Sequence, residues 1–120
     1  MREQSRRSRA RAVLVIDRDG VDAKLGGFIE LSVRSRVDGS LRARVGYVDG
    51  WFVDPDLRGR TWGRQLMRAA EAWTAARGPD ELASDAEIDN PASLAAHAAL
   101  GFRETFRLVH FLKKVRRSQR

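Results

Sequence analysis

Residues 54–67 read DPDLRGRTWGRQLM, which sets Arg58, Arg60 and Arg64 among Gly59 and Gly63 where an apolar run gives way to a helical stripe. A helix start carries unpaired N–H groups and partial positive charge, so it attracts anions. Glycine lets the backbone approach a ligand closely. Each arginine can add charge-assisted hydrogen bonds, about 1.5–3 kcal/mol apiece. The natural occupant is a pyrophosphate. The turn is not a Walker loop, because no Gly-Lys-Ser/Thr follows, and it lacks the Gly-x-Gly-x-x-Gly of dinucleotide sites. Taken alone, it reads equally well as a solvated arginine-rich turn punctuated by Pro55 and Gly59.

Carboxylates form the second group. Asp49 lies in the middle of YVDGWFV, and Asp85, Glu87 and Asp89 fall within ASDAEIDN. An amine arrives as a cation, so carboxylates serve it twice, by holding the charge and by accepting a proton directly or through water. Asp49 also fits an ordinary solvent-facing strand residue, and Glu87 and Asp89 fit a solvated acidic loop. Backbone N–H groups at the glycine-marked strand end, Trp51–Val53, could point at a carbonyl oxygen, a contact worth about 2.7–4 kcal/mol when measured by deletion. Asn90 precedes Pro91, as a helix cap should. His97 sits on an alanine-rich helix, and His110 reads as structural.

These groups need elements to hold them. Residues 12–17, 25–33 and 43–53 read as three strands of a meander, with turns at 18–20 and at Asp38-Gly39. From Trp62, the apolar positions Leu66, Met67, Ala69, Ala70, Trp73 and Ala76 follow a helical period, ended by Gly78 and Pro79. Residues 81–85 suit a short strand, 91–100 a helix stopped by Gly101, and 102–115 a last strand. The expectation is α/β: a single-layer mixed, mostly antiparallel sheet flanked by helices in the order βββ-α-β-α-β. Trp51, Trp62 and Trp73 belong to the core or a pocket wall. They form no ladder for stacking bases.

Bulk properties narrow the class. The 120 residues suit one domain, and no cysteine is present for disulfides, thiolate metal sites or thiol nucleophiles. No apolar run approaches the roughly 18 residues of a membrane span, and MREQSRRSRARA is no secretory signal, so a cytoplasmic protein is expected. The net charge of +7 is unevenly placed: residues 1–12 carry +4, residues 113–120 carry +5, and the span between sums to −2. The basicity thus lies in tails, expected as a disordered segment at 1–11 and a second at 116–120 around a domain at 12–115. An acidic body suits a cationic substrate better than nucleic acid.

A strand ending WFVDPDLRGRTWGRQLM and running into an amphipathic helix resembles the acetyl-CoA pyrophosphate loop of the GNAT N-acetyltransferase superfamily, whose pattern is Arg/Gln-x-x-Gly-x-Gly/Ala. Thr61 stands where that pattern has its first glycine. NPASLAAHAALGF resembles the family's second cofactor motif, with His97 where many members have tyrosine. GYVDGWFV, ASDAEIDN and FLKK narrow the resemblance to aminoglycoside 6′-N-acetyltransferases, with the family's first strand and the next two helices replaced by the arginine tail. The resemblance implies acetyl-CoA as cosubstrate and no metal. It implies cofactor contacts from Trp51, Phe52, Val53, Arg58, Gly59, Arg60, Thr61, Trp62, Gly63, Arg64, Asn90 and His97. It places Asp49, Asp85 and Glu87 on a small cationic amine, with Asp49 and His97 catalytic and His97 a general acid. A sheet edge left open by the absent first strand could be covered by a second copy as a homodimer; no membrane partner is expected. The competing readings are a GNAT enzyme for another small amine or peptide amine, and a shortened non-catalytic protein that holds CoA or nucleic acid.

Overall fold

The computed structural model describes residues 1–8, 10–18, 24–59 and 61–118, without the side chains of 5–8. Five strands, β1 Arg2–Ser8, β2 Arg11–Asp17, β3 Leu25–Ser35, β4 Arg44–Val53 and β5 Leu82–Ala83, lie side by side in chain order. The first four pair antiparallel, and β4 pairs with β5 in parallel. A 3-10 turn at Pro55–Leu57 leads into α1 Trp62–Ala76, and α2 Pro91–Ala99 follows β5. This is the expected mixed, mostly antiparallel sheet with two helices. No helix among the described residues is long and apolar enough to cross a membrane.

Two period rules build the core. Ala12, Leu14 and Ile16 alternate along β2, and Ile29 and Leu31 along β3, so each strand turns one apolar face the same way. Leu66, Met67, Ala70 and Trp73 follow the helical period and lay α1 across that face. Each fully buried side chain of this size contributes about 1.5–3 kcal/mol. Leu100 and Phe102, just past α2, pack partly buried against the same cluster.

Two expectations are corrected at the ends. Residues 2–8, read as part of a disordered tail, form the edge strand β1. Its sequence has little to bury, but an edge strand needs only backbone pairing, and β2 supplies it. Polar side chains are what an exposed edge tolerates. Arg2 adds a salt bridge to Asp17 at 2.7 Å, which holds the Asp17 carboxyl below its ordinary range. The open edge inferred beside β2 is therefore occupied. Residues 102–115, read as the last strand, are in no strand or helix. The pattern is strand-like, but a strand requires a ladder partner and none of the described strands pairs with it. The short strand expected at 81–85 shrinks to Leu82–Ala83. Residues 19–20 of the first expected turn, Arg60, and 119–120 of the C-terminal tail lie outside the described residues.

Candidate active site

Strands β4 and β5 meet only at Gly46–Leu82 and Tyr47–Ala83 and then part. Gly46 allows this junction to sit under α1: a Cβ there would collide with the Thr74 side chain. Beyond Tyr47, β4 runs on to Val53 with its β5-side edge unpaired among the described strands. Trp51, on this stretch, packs partly buried against the core. The start of α1 lies against it at Gly63, and the His97 ring meets it edge to face at 5.6 Å. The buried Nε1 atoms of Trp51 and Trp73 and the Ser32 hydroxyl have no partner among the described residues.

The loop after β4 is held from below. Arg18 pairs with Asp54 at 3.2 Å and with Asp56, and Leu57 packs on the core. Arg58 donates from Nε to the Val53 carbonyl at 2.8 Å and lies over the Phe52 ring, so its guanidinium is fixed at the strand end. Gly59 takes the left-handed φ of 74° that other residues resist, with open space where a side chain would project. Thr61 is the N-cap of α1, yet its hydroxyl accepts from Gln65 Nε2 at 3.0 Å and caps nothing. The first turn holds no acidic residue, while Arg64 lies within it. A helix start without cap oxygen or carboxylate, set among arginines, is complementary to an anion.

The carboxylates gather on the other side of the junction. Glu30 pairs with Gly50 and Leu31 with Val48, so Asp49 is the extra residue of a β-bulge, a device that re-aims a side chain. Arg34 of β3 reaches Asp49 at 2.5 Å while its guanidinium carbon lies 3.7 Å above the Tyr47 ring centroid. The Tyr47 hydroxyl donates to Asp85 Oδ2 at 2.7 Å. Burial, reinforced by the Asp85 carboxylate, pushes the phenol up to about 12. A cavity of ≈ 270 Å³ opens beside Asp49, with Glu30, Ser32 and Arg34 in its wall. Asp49 and Asp85 are thus joined through Arg34 and Tyr47, neither of which the sequence had singled out. A cation bound between a carboxylate and an aromatic face is already part of this molecule.

His97 is turned the other way. Its Nδ1 lies 2.7 Å from the Ser93 carbonyl, which can only accept, so Nδ1 carries a proton. In the neutral ring Nε2 then accepts from the Ser84 hydroxyl at 2.8 Å. Ser84, just past β5, had not been singled out in the sequence: a lone serine carries no spacing signal. Asn90 caps α2 by accepting from the Ser93 amide at 3.1 Å, as its place before Pro91 implied. Glu87 and Asp89 are exposed in the acidic loop, and His110 is exposed outside any strand. No cluster suited to a metal ion occurs among the described residues. The arrangement can hold a phosphate-bearing ligand at α1, pass an extended arm along β4, and present a cation to Asp49 and Asp85.

Residues 1–102 match the model of the acetyltransferase (GNAT) family. Over 91 residues the chain is 42% identical to the aminoglycoside N(6')-acetyltransferase type 1 of Stenotrophomonas maltophilia, covering 75% of this chain and 60% of that protein. The enzyme of the same name from Klebsiella aerogenes is 38% identical over 104 residues, 87% of this chain and 68% of its own length. Among solved structures, AAC(6')-Iy in complex with the bisubstrate analog CoA-S-monomethyl-acetylneamine superposes with a TM-score of 0.77 at 33% identity, over 88% of this chain and 71% of that one. The apo 6'-N-acetyltransferase AAC(6')-IG of Acinetobacter haemolyticus gives 0.78 at 34%, over 90% and 73%. The chain therefore spans about three-fifths of the length of the first of these relatives.

Proposed function

The chain belongs to the GNAT acetyltransferase family, and from that membership we propose that it transfers acetyl from acetyl-CoA to a primary amine, the 6′-amino group, of an aminoglycoside-like polycationic acceptor. The observation that carries this reading is the parting of β4 from β5 just past Tyr47 and Ala83. It sets an uncapped, arginine-flanked helix start at one end of an open strand edge and two carboxylates at the other.

When bound, acetyl-CoA supplies an activated acyl carbon and a thiolate leaving group. The amides at the start of α1, with Arg58, Arg60, Arg64 and the Gly59 backbone, hold its pyrophosphate. The open edge at Trp51–Val53 and the Asn90 side chain hold its pantetheine amides. Asp49 and Asp85 hold the acceptor ammonium, and Asp49 takes its proton directly or through water. The amine nitrogen then bonds to the acyl carbon while the carbon–sulfur bond breaks, with backbone N–H groups of β4 meeting the negative oxygen. The departing thiolate needs a proton. With His97 as imidazolium, Nε2 donates to the Ser84 oxygen, so the Ser84 hydroxyl can pass its proton to the thiolate and take the Nε2 proton in exchange, which leaves the ring neutral.

The reading includes work in the cytoplasm, where acetyl-CoA is available, and a homodimer. Its test is release of free CoA thiol from acetyl-CoA across a panel of aminoglycosides, simple amines and peptides. Release that depends on a polycationic aminosugar is expected. No release with any amine would overturn the enzymatic reading, and release only with peptides would replace the acceptor.

A further inference from the structure

Delivering a proton to a thiolate is not the only chemistry open to Ser84. Its Oγ lies 2.8 Å from His97 Nε2, the separation of a nucleophile from its base. Ser93 and His97 stand one turn apart on α2, so the ring folds back on the Ser93 carbonyl, with Nδ1 2.7 Å from that oxygen. The carbonyl can only accept, which fixes the proton on Nδ1 and leaves the Nε2 lone pair to the Ser84 hydroxyl. Trp51 at 5.6 Å and Phe102 at 5.2 Å meet the same ring edge to face and hold its plane. A hydroxyl, an imidazole and an orienting acceptor in line are the parts of an activated serine, here with a backbone carbonyl in the orienting place.

The hydroxyl also stands where an acyl group would arrive. Ala83 makes the last rung with Tyr47, so Ser84 is the first residue of the fork in which β4 and β5 part. The ring bonded to it touches Trp51, on the stretch of β4 that no described strand pairs from the β5 side. Unpaired N–H groups of that stretch can meet the negative oxygen of an acyl transfer whichever nucleophile attacks. Ser84 and His97 are both half-buried, sheltered but within reach of a ligand.

We propose that Ser84 is itself an acyl acceptor: with no amine at Asp49 and Asp85, it takes acetyl from acetyl-CoA, and water then releases acetate. This second activity, an amine-independent hydrolysis, rests on the binding of acetyl-CoA proposed for the same cleft. In its first step Ser84 Oγ bonds to the acyl carbon and the carbon–sulfur bond breaks. The hydroxyl proton passes to Nε2 and from there to sulfur, which leaves an acetyl ester on Ser84, free CoA thiol and a neutral ring. In the second step a water oxygen bonds to the ester carbon and gives its proton to Nε2. The bond from that carbon to Ser84 Oγ then breaks, Nε2 returns the proton to Oγ, and acetic acid departs.

The test incubates the chain with acetyl-CoA and no amine, and separately with p-nitrophenyl acetate, a small acyl donor that needs no pyrophosphate site. Calorimetry with CoA is run alongside. Acid quenching and peptide mass mapping should find an acetyl group on Ser84 with either donor, and CoA thiol should appear without any amine. Ser84→Ala should return that thiol release to the rate without protein. His97→Gln, which keeps a polar partner but no base, should slow acetylation of Ser84 by about 10²–10⁴, with circular dichroism unchanged in both variants. CoA binding with Ser84 left unmodified by both donors would overturn this proposal and leave the acetyltransferase reading standing. Acetylation by p-nitrophenyl acetate alone would overturn acetyl-CoA as the donor, and failure of CoA to bind would overturn both readings. Thiol release indifferent to Ser84→Ala would overturn the serine as its nucleophile.

Discussion

Tyr47 donates a 2.7 Å hydrogen bond to Asp85 across the last rung of the β4–β5 ladder, and the same ring carries the Arg34 guanidinium that binds Asp49. One aromatic side chain therefore ties together two carboxylates, Asp49 of β4 and Asp85 of the loop after β5. The bond works only while the phenol keeps its proton, because a phenolate would face the Asp85 carboxylate directly.

That proton can be followed alone, since Tyr47 is the single tyrosine of the chain. Burial and Asp85 raise its folded-state value to about 12, against about 10 in an unfolded chain. A raised value means stability that is fully present below about pH 10 and is lost as pH climbs towards 12. Tyrosinate absorbance of the native protein should rise late, and the same titration in denaturant should rise near 10. Asp85→Asn should bring the native midpoint down part of the way, because burial remains. A native midpoint at the unfolded value would mean that the junction is open to water.

The two carboxylates should separate kinetically. Asp49→Asn is expected to lower kcat by about 10²–10⁴, the range for a lost proton acceptor, with acetyl-CoA affinity unchanged. Asp85→Asn should chiefly raise the acceptor KM, since it removes attraction present in ground and transition states alike. Steady-state rates over a range of aminoglycoside concentrations decide this, and rates indifferent to both substitutions would place the acceptor elsewhere.

Arg34 should act as a competitor built into the site. Its guanidinium holds the position on Asp49 that an acceptor ammonium must take, and half-exposed pairs of this kind contribute only about 0.2–1 kcal/mol. Arg34→Ala should therefore lower the acceptor KM by up to roughly fivefold and leave the acetyl-CoA KM unchanged. A higher acceptor KM would show instead that Arg34 is needed to aim Asp49.

Both helices were legible because the signals are local. The stripe from Leu66 to Trp73 has the helical period, and Asn90, Pro91 and Gly101 mark the limits of α2. Pro55 and Gly59 were legible as turn residues for the same reason, one opening the 3-10 turn and the other taking the left-handed φ. Strand β1 was hidden because its stabilisation is backbone pairing, which leaves no apolar pattern. Residues 102–115 failed in the opposite sense, since their pattern is that of a strand but pairing depends on a partner that no local rule supplies. At the site, Asp49 was read from the sequence, but its bulge and its links to Arg34 and Tyr47 arise only once strand register is fixed.

Strand β1 carries a consequence for stability. Deleting residues 1–10 removes a full ladder from β2 and bares an edge holding Val13, Leu14 and Val15. The melting temperature should fall by several degrees, given that about 1 kcal/mol shifts a domain of 60–100 residues by roughly 4–8 °C. The truncated protein should also associate more readily through the new edge. An unchanged melt would return the segment to the status of a loose tail.

The sharpest trade between stability and binding lies at Arg64. Thr61 is the N-cap of α1 and Arg64 stands three residues on, where a capping box would have glutamate. Arg64→Glu completes that box, supplies a carboxylate to the unsatisfied helix start, and removes a cation from the positive end of the helix. Each change is worth roughly 0.3–1 kcal/mol to the free protein, so the melting temperature should rise by a few degrees. The same substitution puts negative charge where a pyrophosphate is proposed to sit and removes a charge-assisted bond of about 1.5–3 kcal/mol. Acetyl-CoA affinity, measured by calorimetry, should then fall at least tenfold, with Arg64→Gln intermediate in both properties. A variant that is more stable and binds as before would move the anion site away from α1. A less stable variant would show that this helix start is satisfied without a ligand.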